Sequence, residues 1–264
     1  MKLKKYILIG IIIIFSIIAI LIGKDMAVIK SNALENNIEI NEKDILNKNV
    51  QNKDEKLSKE DLKIKEIILN DKSGLFKLVN EEHPIDKNYA PEKLVTPNIA
   101  LVGVKNEPRS KVSSIIKEPL EKMFQDAKKE GVELYLSCAY RSFDEQEYLY
   151  NRALKRENSN SSDLVALPGR SEHQLGLAVD ITTKKLDFQL EEAFEDTKEG
   201  QWLLNNAYKY GFIFRYHRGK ENITGYTYEP WHYRYIGNLE VSKYCHDNNL
   251  TLEEIYKKLG INTK

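Results

Sequence analysis

Cysteine is scarce in this sequence, and that scarcity excludes two kinds of small domain. The chain has only two cysteines, Cys138 and Cys245, among its 264 residues, too few for the disulfide framework of a small secreted scaffold. Because they lie far apart in the chain, they also lack the close spacing of a cysteine-ligated zinc site. A single disulfide between them is left open.

Net charge is lacking as well. The 40 basic residues are balanced by 40 acidic residues, so no excess of positive charge attracts a polyanion, and we expect no nucleic-acid partner. The sequence also contains no internal repeat. What remains is a chain long enough for one domain with a full hydrophobic core, together with a separate N-terminal segment.

This N-terminal segment combines positive charge with a long apolar run. Lys2, Lys4 and Lys5 precede the uncharged run 6–23, whose eighteen residues would make roughly 27 Å of helix, just enough to cross a bilayer core. No small-residue cleavage site follows closely, and no cysteine is available there for lipidation. We therefore predict an uncleaved, single-pass signal anchor with residues 1–5 in the cytoplasm. A cleaved signal peptide is the alternative.

Residues 24–66 are rich in Lys, Asn, Asp and Glu, with apolar residues at no clear period. Such a composition buries too little apolar surface to offset chain entropy, so we predict a flexible stalk there, with short helical pieces allowed near its end. The folded domain is predicted to cover residues 67–264. Both it and the stalk would lie outside the cytoplasmic membrane.

Within this domain, hydrophobic patterns of helical and strand period are mixed without a regular alternation. Helices are predicted around Leu120–Ala127, from Phe143 to about Arg156, at Glu191–Tyr210 and from Thr251 to Gly260. Strands are predicted at Leu75–Val79, Val132–Leu136, Gly176–Thr182, Phe212–Tyr216 and Trp231–Ile236, with a hairpin loop around Lys220–Gly225. The fold class we infer is α+β, with a mainly antiparallel central sheet flanked by helices.

Residues that bind metals and move protons are concentrated in two short segments. SEHQLGLAVD begins at Ser171, and EPWH begins at Glu229. A catalytic zinc takes three protein ligands and keeps one position for water, while a carboxylate that is not a ligand accepts a proton from that water. His173, Asp180 and His232 offer three such ligands, and Glu229 is the remaining carboxylate.

Each of these residues also has an ordinary explanation when it is considered alone. An isolated histidine such as His173 is more often a polar or packing residue, Asp180 could cap a turn, and Glu229 could be a surface charge. Pro230 argues against a helix at the second segment, so this is not the helical His-Glu-x-x-His pair of other zinc peptidases. The joint pattern, rather than any single residue, favours a metal site.

The two segments together resemble the paired motifs S-x-H-x-x-G-x-A-x-D and E-x-W-H of the VanY-type D-alanyl-D-alanine carboxypeptidases. These zinc peptidases share their fold with Hedgehog-type domains. The resemblance runs over roughly residues 78–256 and includes YRSFDEQ from Tyr140 and NNAYKYGFIFRY from Asn205. It implies that fold, one zinc ion per chain, and peptidoglycan stem peptides or their precursors as substrate. Ala139 departs from the family pattern, in which glycine usually precedes the Tyr-Arg pair.

The resemblance also implies a role for each matching residue. The implied zinc ligands are His173, Asp180 and His232; the implied catalytic residues are Glu229 as general base and Arg141 as a group that stabilises charge; the implied substrate-binding residues are Arg141, Gln146 and Ser171. A guanidinium suits such a role because it can bind a carboxylate through two hydrogen bonds or stabilise an oxyanion. Gln146 could equally be a helix-surface residue, and Ser171 a loop-capping hydroxyl.

The function we expect is that of a D,D-carboxypeptidase that removes the terminal D-Ala from stem peptides by means of metal-activated water. An L,D-carboxypeptidase that acts on tetrapeptide stems would use the same residues, so the motifs leave it open. From a different class, a non-catalytic wall-binding module would keep the fold and lose the base or a ligand. We further expect a monomer that the N-terminal helix attaches to the cell membrane.

Overall fold

The computed structural model describes residues 57–159 and 165–263, and it begins with a helix where the sequence predicts a stalk. Helix α1, Lys59–Leu69, has a capping box in which Ser58 and Asp61 each bind the other's backbone amide. Ile64 and Ile68 are buried one helical turn apart. The compact unit therefore starts at Ser58 rather than at residue 67, because this short apolar stripe is hidden among lysines and glutamates.

The anchor predicted at 6–23 lies outside the described residues, as does most of the predicted stalk. Within 57–159 and 165–263, no helix is both long enough and apolar enough to cross a membrane.

Antiparallel strands form the centre of the domain, as the sequence predicts. The central sheet has four strands in the order β3-β4-β6-β5. These are β3, Tyr135–Cys138; β4, Ala178–Thr182; β5, Phe212–Phe214; and β6, His232–Tyr235. Every neighbouring pair in it is antiparallel. A separate two-stranded sheet pairs β1, Leu94–Val95, with β2, Val112–Ser113.

Six further helices follow α1 in the described residues. They are α2, Lys117–Lys129; α3, Phe143–Glu157; α4, Lys198–Asn206; α5, Glu221–Thr224; α6, Leu239–Asp247; and α7, Leu252–Leu259. The predictions for α2, α3 and α7 are confirmed, and α7 has the predicted capping box between Thr251 and Glu254. Helix α1 packs against α6 and α7. Neither α1 nor α6 was predicted as a defined element.

The hydrophobic core joins α2 to the central sheet. Leu120 and Met123 of α2 are fully buried with Leu136 of β3 and with Val179 and Ile181 of β4. Burial of each such side chain stabilises the fold by about 2 kcal/mol, because its apolar surface is removed from water. Val179 and Ile181 are two residues apart, so they share one face of β4, while Asp180 points to the other. The core therefore holds β4 in the register that directs the side chain of Asp180 to the opposite face.

Two local predictions are wrong, and each has a tertiary cause. Leu75–Val79 is irregular rather than a strand, since the carbonyls of Leu75 and Lys77 accept hydrogen bonds from the Arg234 side chain instead of a strand partner. The predicted single helix 191–210 is interrupted at Thr197, which caps α4. The predicted hairpin between β5 and β6 is confirmed, and its loop contains the short helix α5.

A glycine explains the interruption at Thr197. A Cβ built on Gly200 would lie 2.0 Å from the carbonyl oxygen of Phe194. Only glycine therefore lets the 3₁₀ turn Glu192–Asp196 fold back against the first turn of α4. Because this contact depends on the neighbouring backbone, helical periodicity does not reveal it.

Candidate active site

Two predicted zinc ligands face each other across the centre of the sheet. Asp180 of β4 is the direct partner of His232 of β6 in the antiparallel register. Side chains of directly opposed residues project to the same face with Cβ atoms about 5 Å apart. Accordingly, Nδ1 of His232 lies 2.9 Å from Oδ1 of Asp180. Strand pairing therefore brings together two residues that are far apart in the sequence.

The third predicted ligand, His173, comes from a 3₁₀ turn, Glu172–Leu175, that leads into β4. Gly176 ends this turn with a φ of 65°, and a Cβ there would lie 3.1 Å from the backbone nitrogen of Ser113. Glycine is thus needed for both the conformation and the space. The sharp bend places Nε2 of His173 3.1 Å from Oδ2 of Asp180.

A hydrogen-bond acceptor holds each imidazole at its far side. Nδ1 of His173 lies 2.6 Å from the carbonyl oxygen of Ala139, and Nε2 of His232 lies 3.3 Å from Oε2 of Glu172. These contacts orient the rings so that the other nitrogen of each faces Asp180. Histidines that bind metals are held in this way. The donor set of two histidines and one carboxylate fits a catalytic zinc, which takes three protein ligands of these types.

The electrostatics of this cluster favour a cation. His173, Asp180 and His232 are all buried. Burial alone would lower the pKa of His232, but the carboxylates of Asp180 and Glu172 raise it to about 9. At His173, burial outweighs Asp180 and lowers the pKa. Two buried carboxylates thus stabilise positive charge between these side chains, which is the charge that a zinc ion would supply.

Cys138 lies beside the predicted ligands, although the sequence did not suggest it. It pairs with Asp180 from β3, and ligand atoms of Cys138, His173 and Asp180 lie within 4.8 Å of one another. Burial raises the pKa of its thiol, which disfavours the thiolate that binds metals. His232 therefore suits the third ligand position better. Cys138 and Cys245 are both free, so they form no disulfide in the structure.

Glu229, the predicted general base, lies just before β6 and beside the ligands. Its Oε2 is 3.8 Å from Nδ1 of His232, and its side chain keeps 20% exposure. The backbone nitrogen of Glu229 donates to the carbonyl of Tyr216 and fixes the loop. Burial, reinforced by the nearby charge of Asp180, raises the pKa of Glu229 to about 7. A carboxyl with a pKa near neutrality can both accept and return a proton.

Arg141, directly after β3, is held in place from three directions. Its backbone nitrogen donates to the carbonyl of His173, and its guanidinium donates to Gln146 Oε1 at 2.8 Å and to Cys138 Sγ at 3.3 Å. Gln146 is 1% exposed and donates in turn to the carbonyl of Ala166. Both ends of the Gln146 amide are thus occupied by protein groups. The geometry favours Gln146 as a support for Arg141, and direct substrate contact stays a prediction.

Ser171 is the loop-capping hydroxyl that the sequence offered as one explanation. Its hydroxyl caps the 3₁₀ turn by accepting from the backbone nitrogen of His173, and its side chain also borders the cleft above the ligands. Its role toward substrate stays a prediction.

A buried charge network behind His232 was missed by sequence reasoning. Glu172, fully buried, accepts from Arg215 Nε at 2.8 Å and from Arg234 Nη1 at 2.9 Å. Arg215 in turn donates to both carboxylate oxygens of Glu253. These pairs hold Oε2 of Glu172 against the imidazole of His232. The one local signal was a glutamate inside the first motif, since its partners lie 43 and 62 residues away in the chain.

All the predicted site residues except Gln146 line one cleft of about 530 Å³. Its base contains Arg141, Ser171, His173, Asp180, Glu229 and His232, and its walls include Arg152, Arg156, Tyr216, Tyr226 and Trp231. The cleft therefore combines a candidate metal centre, an adjacent proton acceptor and the half-buried guanidinium of Arg141 in a space that admits a short peptide.

Comparison with known proteins agrees with this geometry. The family model described as VanY, D-alanyl-D-alanine carboxypeptidase, matches residues 109–238. The protein YodJ of Bacillus subtilis (strain 168) is 43% identical over 188 residues, which are 70% of this chain and 68% of YodJ. The chain belongs to the VanY family of D-alanyl-D-alanine carboxypeptidases. It is accordingly a carboxypeptidase, as the sequence predicts.

Two solved structures of this family are similar to the chain. The structure of the LD-carboxypeptidase LdcB has a TM-score of 0.66 and 42% identity, covering 70% of this chain and 86% of that one. A VanY D,D-pentapeptidase from a VanB-type resistance cassette, in complex with Zn(II), has a TM-score of 0.56 and 31% identity, covering 68% and 97%. These similarities confirm the α+β fold of the VanY family.

Proposed function

We propose that this VanY-family enzyme is a zinc-dependent D,D-carboxypeptidase that removes the terminal D-alanine from peptidoglycan stem peptides. The observation that carries this is the arrangement of two histidines, each with a ring nitrogen about 3 Å from an oxygen of Asp180, with Glu229 3.8 Å from one of them. His173, Asp180 and His232 would hold the zinc, as the complex of a related VanY with Zn(II) supports.

The chain's own side chains account for the proton transfers and for the position of the substrate. A zinc ion bound here supplies Lewis acidity and lowers the pKa of a bound water. Glu229 accepts the proton of the attacking water and returns it to the nitrogen of the leaving D-alanine. Arg141 binds the substrate's terminal carboxylate or the developing oxyanion, and Gln146 and Cys138 hold its guanidinium in position.

An L,D-carboxypeptidase acting on tetrapeptide stems is the second candidate. It is favoured by the similarity to LdcB, whose identity of 42% exceeds the 31% shared with the zinc-bound VanY. Both reactions release a terminal D-alanine and differ in the configuration of the residue before it. The ligands, base and arginine serve either reaction equally, so only the part of the cleft beyond the scissile bond can discriminate.

We further propose that the apolar run 6–23 anchors the enzyme in the cytoplasmic membrane, with the carboxypeptidase domain outside. This location fits wall precursors, which are displayed at the outer surface of that membrane. Recovery of the mature protein without residues 1–23 would exclude the anchor and leave a secreted enzyme.

One experiment tests the activity and separates the two candidates. Full-length protein is incubated with stem pentapeptide and with stem tetrapeptide, and the products are identified by mass spectrometry before and after removal of zinc with a chelator. We expect release of D-alanine from the pentapeptide, loss of activity with the chelator and recovery with zinc. Cleavage of the tetrapeptide alone would favour the L,D activity, and activity that persists without zinc would contradict both.

The variant His232→Ala tests the ligand assignment in parallel. We expect it to lose both the bound zinc and the activity, since removal of one of three ligands leaves an incomplete site. Zinc retained in stoichiometric amounts at normal affinity, measured by metal analysis and competition with a chelator, would exclude His232 as a ligand.

A further inference from the structure

One face of α3 forms a wall of the active-site cleft. The residues of α3 that line it are Leu149, Arg152, Ala153 and Arg156, which follow the i, i+3, i+4, i+7 spacing of a single helix face. The N-terminal end of this helix lies at Arg141, beside the candidate metal centre. The helix therefore leads outward from the reacting end of the cleft and presents two guanidinium groups along the way.

Arg152 and Arg156 are at most weakly paired with acidic side chains in the part of the chain that the structure describes. Arg152 is exposed, and it makes no hydrogen bond or ion pair in the part of the chain that the structure describes. Arg156 has a side chain that is 71% exposed, and its ion pair with the adjacent Glu157 is long, at 3.4 Å. An exposed pair of this kind is weak, because water competes for both partners. Both guanidinium groups are thus available to an anionic ligand in the cleft.

The length of the helix sets how far from the cleaved bond such a ligand group would lie. At 1.5 Å per residue, Arg152 is about 16 Å along the chain axis from Arg141. An extended peptide spans about 3.3 Å per residue, and an arginine side chain reaches several ångströms from its Cα. A peptide whose C-terminus contacts Arg141 would therefore bring a group about three residues upstream within reach of Arg152, and one further upstream within reach of Arg156.

We propose that Arg152 determines specificity by binding a second carboxylate of the substrate, about three residues upstream of its C-terminus, and that Arg156, one helical turn further out, adds positive charge beside it. This inference rests on the proposed function, because it takes the peptide's C-terminus to lie at Arg141. The preferred substrate class is then a stem peptide with a free carboxylate on an upstream residue. A peptide in which that carboxylate is amidated would bind more weakly.

A matched pair of synthetic peptides tests this inference. One is L-Ala-γ-D-Glu-L-Lys-D-Ala-D-Ala, and the other carries γ-D-glutamine, which replaces the upstream carboxylate by an uncharged amide of the same shape. The value of kcat/KM is measured for both with full-length wild type, Arg152→Gln, Arg156→Gln and the control Lys155→Gln. Lys155 is exposed on the same helix and does not line the cleft, so its replacement removes an equal charge outside the site.

We expect wild type to prefer the acidic peptide by about three- to tenfold, mainly through KM, as two exposed charge pairs allow. The preference should fall toward one in Arg152→Gln, fall by less in Arg156→Gln, persist in Lys155→Gln, and shrink as the salt concentration rises. Equal kcat/KM for both peptides in wild type, or a preference that neither arginine variant changes, would overturn the inference.

A binding measurement keeps this inference separate from the proposed activity. Titration calorimetry with both peptides is performed on Glu229→Gln, in which we expect cleavage to be blocked. If wild type cleaves neither peptide but the acidic one binds more tightly through Arg152, the inference stands and the proposed function fails. If both are cleaved and bind with equal affinity, the proposed function stands and the inference is wrong.

Discussion

Glu172→Gln is the substitution that most directly tests how the fold supports the metal centre. In the wild type, one oxygen of Glu172 accepts from Arg215 and Arg234, while the other faces Nε2 of His232. Glutamine has the same shape but only one oxygen. Whichever way its amide is turned, either the two arginines or His232 will meet an N–H group instead of an acceptor.

The size of the loss in stability depends on which hydrogen-bond partners Arg215 and Arg234 keep after the substitution. Arg215 keeps Glu253, but Arg234 keeps only backbone carbonyls among its described partners. Its charge is then buried without a counter-charge, and breaking a buried pair in this way costs about 3–5 kcal/mol. A domain is typically stable by about 5–15 kcal/mol, so the loss is a large fraction. Loss of the hydrogen bond to His232 should also weaken zinc binding by about ten- to a hundredfold.

Both effects are measurable against a matched control. Urea unfolding of chelator-treated protein gives the change in stability, and competition with a zinc indicator gives the change in affinity. Glu199→Gln is the control, since Glu199 is 4% exposed but pairs with Lys185, whose side chain is 60% exposed. We expect it to cost at most about 1 kcal/mol and to leave zinc binding unchanged. A Glu172→Gln protein within that range, with normal zinc affinity, would refute the reasoning.

Three further predictions concern the base, the substrate contact and the first helix. Glu229→Gln should keep its zinc while kcat falls by at least about a hundredfold; a normal rate would exclude it as the base. Amidation of the substrate's terminal carboxylate should slow the wild-type enzyme far more than it slows Arg141→Ala. Arg141→Lys should not restore activity, because lysine lacks the planar guanidinium that binds a carboxylate through two hydrogen bonds. Equal losses in wild type and Arg141→Ala would show that Arg141 does not contact that carboxylate. Burial alone would raise the pKa of Asp61, but hydrogen bonds from Lys258 and Tyr244 hold it well below its usual value. Asp61 therefore contributes stability that is fully present above its unfolded pKa of about 3.9 and is lost gradually as the pH falls from there toward its lowered folded pKa. Asp61→Asn should accordingly lower the urea midpoint at pH 7 and by a smaller amount at pH 3, and a deficit of equal size at both values would contradict this account.

Local sequence signals were sufficient wherever a structural element is determined by its own residues. Helix α2 shows its buried stripe at helical spacing, α3 and α7 carry caps at their first turns, and the strands of the central sheet show short apolar patterns. The motif residues His173, Asp180, His232 and Glu229 were all identified before their positions were known, since their residue types are themselves chemically informative. Their proposed roles still await the experiments above.

Other features depend on partners that are distant in the chain, and only the tertiary structure decided them. Helix α1 looks like part of a charged stalk until its isoleucines meet α6 and α7. The segment Leu75–Val79 is irregular because the side chain of Arg234, more than 150 residues later, donates hydrogen bonds to its carbonyl oxygens.

The same distinction holds at the site. The amino-acid sequence by itself determined which residues are able to bind a metal ion and transfer protons. The tertiary structure decided that strand pairing places His232 opposite Asp180, that Glu172 lies against the far side of the His232 ring, and that α3 directs two arginines into the cleft. Caps and periodicity are properties of neighbouring residues. Register, buried charge pairs and cleft walls arise only when separate segments pack together.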